Sequence, residues 1–443
     1  MRTPIFDFVE SYVKSGISRF HMPGHKGQTL LGPEARDITE IEGADVLYSA
    51  GGVIAKSERY ASELFRTGRT FYSAEGSTLA IKAMLALAMK GAKSDTPPCL
   101  LAGRNAHKAL IYSAALLDFD IRWLGSSGHA CECRVTPEDV DRALSDMKEP
   151  PFAVYITSPD YLGNIADVSG IAAVCRRWGT ELLVDNAHGA YLAFLEPSQH
   201  PISLGAAMCA DSAHKTLPVL TGGAYLHLSE SCKYTDVDVR EALSLFASTS
   251  PSYLILQSLD LCNKYLSDGY AERLAALASQ IEKIKLRLCG AGYRIKHGET
   301  LKIVIDALAY GYTGSHLGAL LRERGVECEL ADGQYAVLML TPENTASDLE
   351  RLTGALLDIP ARVPISSADD AFLLPQRAMS IREAVFAPAE TVPTRKSVGR
   401  ICGAPAVSCP PAVPIAVSGE IIGEREAALL EKYGYTTVRV VKK

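Results

Sequence analysis

The residues of this chain whose types and spacing could do chemistry fall in four short segments. In SAEGSTLA, Gly76, Ser77 and Thr78 open a helical pattern. Free backbone N–H groups at a helix start, with two hydroxyls beside them, make a seat for a phosphate, and glycine lets the backbone come close. An ordinary N-cap would use the same residue types. In RNAHKAL, His107 could lie flat on an aromatic ligand, although a capping or surface histidine explains it as simply. In ELLVDNAHGAY, an apolar strand runs straight into Asp185, followed by Ala187 and His188. A carboxylate there could pair with a protonated ring nitrogen, and Ala187 could pack against a flat ring; a turn aspartate is the plainer alternative. In DSAHKTLP, Lys215 lies just past another strand, beside Ser212 and His214. A lysine sheltered from water has a lowered pKa and becomes an amine nucleophile, whereas most lysines are solvated surface groups.

Taken singly these segments are weak. Together and in this order, a phosphate seat, a stacking histidine, a ring-nitrogen acid and a lysine are the parts that pyridoxal 5′-phosphate (PLP) requires. Lys215 would hold the cofactor as a Schiff base. The competing use of the histidines is a metal site. His21 and His25 have helical zinc spacing, but Pro23 and Gly24 between them argue against a helix. His188 and His214 lack partners at metal-site spacing, so no metal is expected.

The elements that must position these groups are legible as alternation. PPCLLAG, FDIRWLG, PFAVYITSP, ELLVDNAHG, AAMCADSAH and GAYLHLS read as strands, and STLAIKAMLALAMKGA, HKALIYSAALLD and SGIAAVCRRWGT as helices. Such alternation implies an α/β layer fold with a mostly parallel sheet, whose ligands gather at the carboxyl ends of the strands. Residues from about 251 to 290 read as helical. A smaller α/β unit follows, with LKIVIDAL and YAVLML as strands and GSHLGALLRERG and ASDLERLTGALLDI as helices. The division expected is an N-terminal arm with active-site loops (1–60), a large domain (61–290), a small α/β domain (291–360) and a C-terminal extension (361–443). The extension is proline-rich around CPPAVP and ends in a short helix and strand.

Composition sets outer limits. The 443 residues are 47% apolar and 22% charged with a net charge of −6, an ordinary globular balance. A mildly acidic chain has no electrostatic reason to seek nucleic acid or an anionic membrane. No apolar run reaches the roughly 18 residues of a membrane span, and the N-terminus lacks a signal-peptide stretch, so a cytoplasmic protein is expected. Eleven cysteines, odd in number and scattered, do not make a disulfide framework. Cys131 and Cys133 form a lone CxC with no second pair nearby.

The chain resembles the Orn/Lys/Arg decarboxylase family of fold type I (aspartate aminotransferase-like) PLP enzymes, in its short form without an N-terminal wing domain. The resemblance rests on FHMPGHKG at 20–27, DITEIEGAD at 37–45, the phosphate loop at 73–78, RNAHK at 104–108 and DNAHGAY at 185–191. It continues through SAHKTL at 212–217, TSPSYLILQSLD at 249–260, MSIREAVFAPAE near 379–390 and VGRICGAPAV near 398–407. It implies that Lys215 carries the cofactor, that Asp185 pairs with the pyridine nitrogen, and that Ala187 and His107 contact the two ring faces. It also implies that His188 lies near the phenolic oxygen and that Gly76, Ser77, Thr78, Ser212 and His214 hold or border the phosphate. Ser248 is implied to reach the phosphate of a neighbouring subunit, in a homodimer or higher homo-oligomer with active sites at the dimer interface. The implied reaction is decarboxylation of lysine, ornithine or arginine, with Lys215 or His214 returning a proton.

Departures from the family pattern fall where a substrate could be chosen. Asp45 is kept, but Val46 replaces a second acid and Tyr48 a histidine. Ala50-Gly51-Gly52 stands in place of Pro-Glu-Gly, and Thr221-Gly222 in place of Thr-Gln. A distal cation favours a carboxylate partner, for which Asp37, Glu40 and Glu42 are further candidates. Two other readings stay open: a PLP lyase, aldolase or aminotransferase, for which Arg377, Arg382, Arg395 or Arg400 could bind an α-carboxylate, and a PLP-binding protein without catalysis.

Overall fold

The computed structural model describes the chain apart from residues 91, 93–96, 126–131, 133, 367–373, 408–413 and 443. Cys131, Cys133 and most of CPPAVP therefore lie outside the described residues. The chain forms two compact units, each built from several stretches of sequence: Met1–Ala92, Phe152–Ser158 and Val168–Arg273 in the first, and Lys93–Pro151, Pro159–Asp167 and Leu274–Lys443 in the second.

In chain order the elements of the first unit are α1 (Pro4–Lys14), α2 (Val53–Phe65), β1 (Arg69–Ser73), α3 (Gly76–Met89), β2 (Ala153–Thr157) and α4 (Val168–Trp178). They continue with β3 (Glu181–Asp185), β4 (Met208–Asp211), the short α5 (Ala213–Thr216), β5 (Ala224–Leu228), α6 (Asp236–Ser244) and α7 (Tyr253–Leu266). The strands of this unit lie in the order β1-β5-β4-β3-β2. β2, β3 and β4 are mutually parallel, while β5 is antiparallel to both β4 and β1, so every strand but β5 runs the same way. β2, β3 and β5 are apolar runs buried nearly end to end, as strands covered on both faces must be.

Every strand and helix expected from alternation is present. Two helices appear where only an arm and loops were expected; the cap of α1 comes from a distant helix and that of α2 from a loop residue seven to nine positions upstream. The N-cap of α1, Thr3, makes no side-chain cap bond; the carboxylate of Asp260, on α7, accepts from the N–H groups of Ile5 and Phe6, each at 2.9 Å. Asp45 does the same for α2, accepting from Gly52 at 2.7 Å and Ile54 at 2.9 Å. Unpaired N–H groups at a helix start need such an acceptor.

The second unit holds a parallel strand pair, Cys99–Gly103 and Asp120–Leu124, and an antiparallel four-stranded sheet. The order there is Leu330–Ala331, Tyr335–Met339, Lys302–Asp306 and Arg294–Lys296. The helices Gly314–Glu323 and Ala346–Leu357 accompany that sheet. The guanidinium of Arg104, 2% exposed, binds the carbonyl of Pro414 at 2.9 Å and Glu420 at 3.0 Å, which fixes the C-terminal segment within this unit. No helix among the described residues is long and apolar enough to cross a membrane.

Candidate active site

Strand register decides which way each site residue points. Asp185 lies beside Ala210 across the β3–β4 ladder, and side chains alternate along a strand. Asp185 and Ala210 therefore share one face of the sheet, called the front here. Cys209 and Asp211 point to the rear. His227 lies opposite Cys209, and Thr70 opposite His227, so both are rear residues as well.

On the front, Asp185 is 2% exposed. Its carboxylate accepts from the Tyr155 hydroxyl at 3.0 Å and from the Ala187 N–H at 3.2 Å. Burial pushes its carboxyl above the usual range, and the positive charge of Lys215 and the Tyr155 hydroxyl offset this only in part. Lys215 sits on α5, with Nζ 3.0 Å from Nε2 of His188. His214, its neighbour, is half-buried, and its Nδ1 lies 2.9 Å from the carbonyl of Gly223. Burial lowers the imidazole pKa of His214, and Lys215 lowers it further against the Gly223 bond.

The helix start expected to seat a phosphate is built for a close approach. Gly76 has φ +70°, a left-handed conformation that favours glycine. Its N–H donates to the carbonyl of Gly222 at 2.7 Å. The position before it, Glu75, makes no side-chain cap to α3. Ser212 donates its hydroxyl hydrogen to the Ser77 oxygen at 2.7 Å, which brings the segment after β4 against the helix start. Thr78 stands exposed one position further on. Ser248 is exposed and donates its N–H to Glu75 at 2.7 Å, beside the same helix start of its own chain. These residues fit a phosphorylated aromatic aldehyde. The seat is glycine-opened and uncapped, a lysine amine stands in a half-buried setting, and the buried Asp185 carries a burial cost that a ring N–H⁺ would relieve.

His107 belongs to the second unit. There it is the N-cap of the helix Lys108–Leu117, its Nδ1 accepting from the Ala109 N–H at 3.1 Å. Arg377, Arg382 and Arg400, candidates for a substrate α-carboxylate, are engaged within that unit with Asp120, the Ala115 carbonyl and Glu390. His21 and His25 are not on a helix; they contact Tyr12 and Asp37.

The departures noted in the sequence have structural reasons. Asp45 is a capping carboxylate, accepting from Val46, Gly51, Gly52 and Ile54. Burial alone would raise its pKa, but these N–H donors hold it below the usual value. It is therefore not free to bind a distal cation, and Gly51 and Gly52 serve its loop. A Cβ on Gly222 would come within 3.1 Å of the Ala74 carbonyl oxygen. Tyr48 is half-buried, and burial and the Glu75 carboxylate push its hydroxyl pKa up, which places it near the start of α3.

Sequence reading missed the rear of the sheet entirely. Asp211, His200 and His227 are all fully buried. Nε2 of His200 lies 3.1 Å from one oxygen of Asp211, and Nε2 of His227 3.4 Å from the same oxygen, an electrostatic contact rather than a hydrogen bond. Asn186 donates to the other oxygen at 2.8 Å, and Thr70 meets Nδ1 of His227 at 2.8 Å. Donor atoms of His200, Cys209 and Asp211 lie within 4.8 Å of one another. The available signal was a charged residue inside an apolar strand, AMCAD. No disulfide joins the described cysteines.

Residues 3–308 match the family model for the Orn/Lys/Arg decarboxylase major domain. The chain is 30% identical to an arginine decarboxylase of Bacillus subtilis, over 97% of this chain and 93% of that protein. It is also 30% identical to an arginine decarboxylase of Halalkalibacterium halodurans, with the same coverage. Among solved structures, the lysine decarboxylase LdcF of Francisella novicida matches with a TM-score of 0.81 at 16% identity. That match covers 99% of this chain and 81% of the other, and it establishes the fold.

Proposed function

The chain belongs to the Orn/Lys/Arg decarboxylase family, and from that premise we propose arginine as its substrate and Lys215 as the residue that carries PLP. Membership makes it a carboxy-lyase of a basic amino acid. The arrangement that carries the residue assignment is the pair formed by Lys215, with Nζ 3.0 Å from His188, and the buried carboxylate of Asp185 acting on the same lysine. Arginine is named because the relatives at 30% identity are arginine decarboxylases.

Bound PLP supplies an electron sink for the pair of electrons left when CO2 departs. The chain's own residues do the rest. Gly76, Ser77, Thr78 and Ser212 seat the phosphate at the start of α3, where backbone N–H groups and hydroxyls converge. Asp185 would hold a proton on the ring nitrogen of bound PLP, with Tyr155 and the Ala187 N–H fixing the carboxylate plane. Ala187 would support one face of the ring, and the family resemblance assigns the other face to His107. His188 would keep Lys215 in place, with the phenolic oxygen assigned to its vicinity by the same resemblance. Lys215 accepts and returns protons during exchange with substrate, and Lys215 or His214 delivers a proton to the carbon that has lost its carboxylate. A lowered imidazole pKa leaves His214 mostly neutral at pH 7, which favours Lys215 for that delivery.

The four-part division of the chain is part of the same reading. So are a cytoplasmic location and a homodimer or larger homo-oligomer, in which Ser248 reaches the partner subunit's phosphate. The test is to incubate PLP-loaded protein separately with arginine, lysine, ornithine and a pool of the other amino acids, and to read the products by mass spectrometry. Agmatine from arginine alone is the expected result. A diamine from lysine or ornithine instead would replace the substrate, and an amine from the pool only would sink the basic-substrate reading.

A further inference from the structure

The buried group behind the sheet is joined to the proposed cofactor residues by short covalent and hydrogen-bonded links. Asn186, which donates to Asp211, lies between Asp185 and Ala187 in sequence. Its own N–H is bound to the Ala210 carbonyl at 3.0 Å, and its carbonyl accepts from Gly189 at 2.8 Å. A Cβ at Gly189 would stand 2.0 Å from the Asn186 side-chain oxygen, so the amide is closely confined. Asp211 itself is followed directly by Ser212, which meets Ser77 at the phosphate seat. One carboxylate thus holds the end of β3, the end of β4, His227 on β5 and the His200 loop.

We propose that Asp211 is a positioning residue for the cofactor site, holding Asn186 so that Asp185 and Ala187 keep their orientation, and fixing the start of the Ser212–Lys215 segment. This rests on the reading of Lys215 and Asp185 given above. A buried carboxylate is costly unless it is partnered. A layer that needed only bulk would be met by apolar side chains at lower cost. The partners on Asp211 are not bulk. They are directed donors, from His200 and Asn186, with the His227 imidazole adding electrostatic support. Burial would raise the Asp211 pKa, but the two imidazoles more than reverse this and keep it ionised. Its charge in turn raises the proton affinity of Asp185 through the sheet. The titratable groups around it are His200, His227, Cys209 and Tyr225 on the rear, with Asp185, Tyr155, His188, His214 and Lys215 on the front.

The experiment uses full-length protein carrying Asp211→Asn or Asn186→Ala. Three quantities are read: the PLP dissociation constant, the pH midpoint of the bound-cofactor absorbance, and the melting temperature of the apoprotein. Both variants are expected to weaken PLP binding at least tenfold. In Asp211→Asn alone the absorbance midpoint moves to lower pH, because a negative charge that stabilised nearby protons is gone. Asn186→Ala keeps Asp211 and both histidines, and decides the matter if Asp211→Asn does not fold. Dissociation constants within twofold of wild type in the folded variants, with only the melting temperature changed, would overturn the positioning role and leave Asp211 a structural residue. Wild-type protein that takes up no PLP, or Lys215→Ala that keeps full turnover, would instead sink the reading beneath it, and the proposal with it.

Discussion

Asp185 and Asp211 end neighbouring parallel strands, point to opposite faces of one sheet and are both almost completely buried. Burial pushes both carboxyls toward the neutral form. At Asp211 two imidazoles reverse the effect, and its pKa falls below the usual range. At Asp185 one hydroxyl, one N–H and the charge of Lys215 do not, and its pKa stays raised. The rear carboxylate is complete within the protein, while the front one carries a burial cost that its neighbours only partly offset. A buried polar group whose partners all come from the fold is part of the architecture. At Asp185, next to the lysine and the helix start on the front, the shortfall is one that a ring N–H⁺ would make up.

Other rear carboxylates are also held by partners within the fold, but there burial wins and keeps Asp260 and Glu58 above the usual carboxylate range. Ser57, Tyr72 and Asn263 close a buried ring of hydrogen bonds, from which the Ser57 hydroxyl also donates to Asp260, and Glu58 pairs with Arg240 at 2.6 Å. These links bridge elements far apart in sequence, whereas the front groups come from loops and helix starts at the strand ends.

Four perturbations test the contrast, from the largest effect down. Lys215→Ala acts on the front alone: turnover should fall by on the order of 10⁴-fold or more, with the melting temperature of the apoprotein held. Parallel loss of folding would show the two faces to be one cooperative structure. Phe65→Ala acts on the rear alone. Its ring is 1% exposed and meets Phe194, His200, Tyr225 and His227, so denaturant unfolding should show a loss of about 3–5 kcal/mol, with PLP affinity in the folded protein little changed.

The third is a pH effect. Burial raises Asp260 to about 6, against the opposing bonds from Ser57, Phe6 and Ile5. A raised carboxyl is more protonated folded than unfolded, so its stabilising contribution is fully present below pH 4 and is lost as pH rises through 6. The difference is worth roughly 3 kcal/mol at most. In Asp260→Asn, the pH dependence of unfolding free energy between pH 4 and 6 should flatten; an unchanged slope would remove Asp260 from the account. The smallest effect is Tyr155→Phe, which takes one donor from Asp185 at a cost of about 1.5–3 kcal/mol for a bond to a charged group. It should appear as a roughly ten- to hundredfold loss of PLP affinity or kcat, and a change confined to stability would place Tyr155 with the rear layer.

Much of this was legible in advance. Apolar runs alternating with helical patterns predicted β2, β3, β4 and β5, since local hydrophobicity and turn residues determine those elements, but β1, which leads into the start of α3, was not among the strands read. Gly76, Ser77, Asp185 and Lys215 stood out because strand ends and helix starts can be located from local pattern. The capping role of Asp45, the carbonyl of Gly222 under the start of α3, and the tie between Asp211 and His227 could not be read. The last two depend on which strand lies beside which, and alternation does not fix strand order, while the Asp45 cap depends on a loop closing back over seven to nine residues. His107 shows the same limit, since a stacking histidine and a helix N-cap are written identically in sequence.

The bond between Asp260 and the start of α1 joins residues 255 positions apart. An isolated helix of eleven residues is marginal in water, and α1 is synthesised 255 positions ahead of its acceptor. Its acceptor arrives only after more than half of the chain has been made. For α1 the order of folding must therefore run against the order of synthesis. Through most of translation, the apolar side chains of Ile5 and Val9 wait for a surface that does not yet exist. Until Asp260 arrives, α1 is thus a segment of the nascent chain open to chaperones and proteases, secured by a late contact rather than an early one.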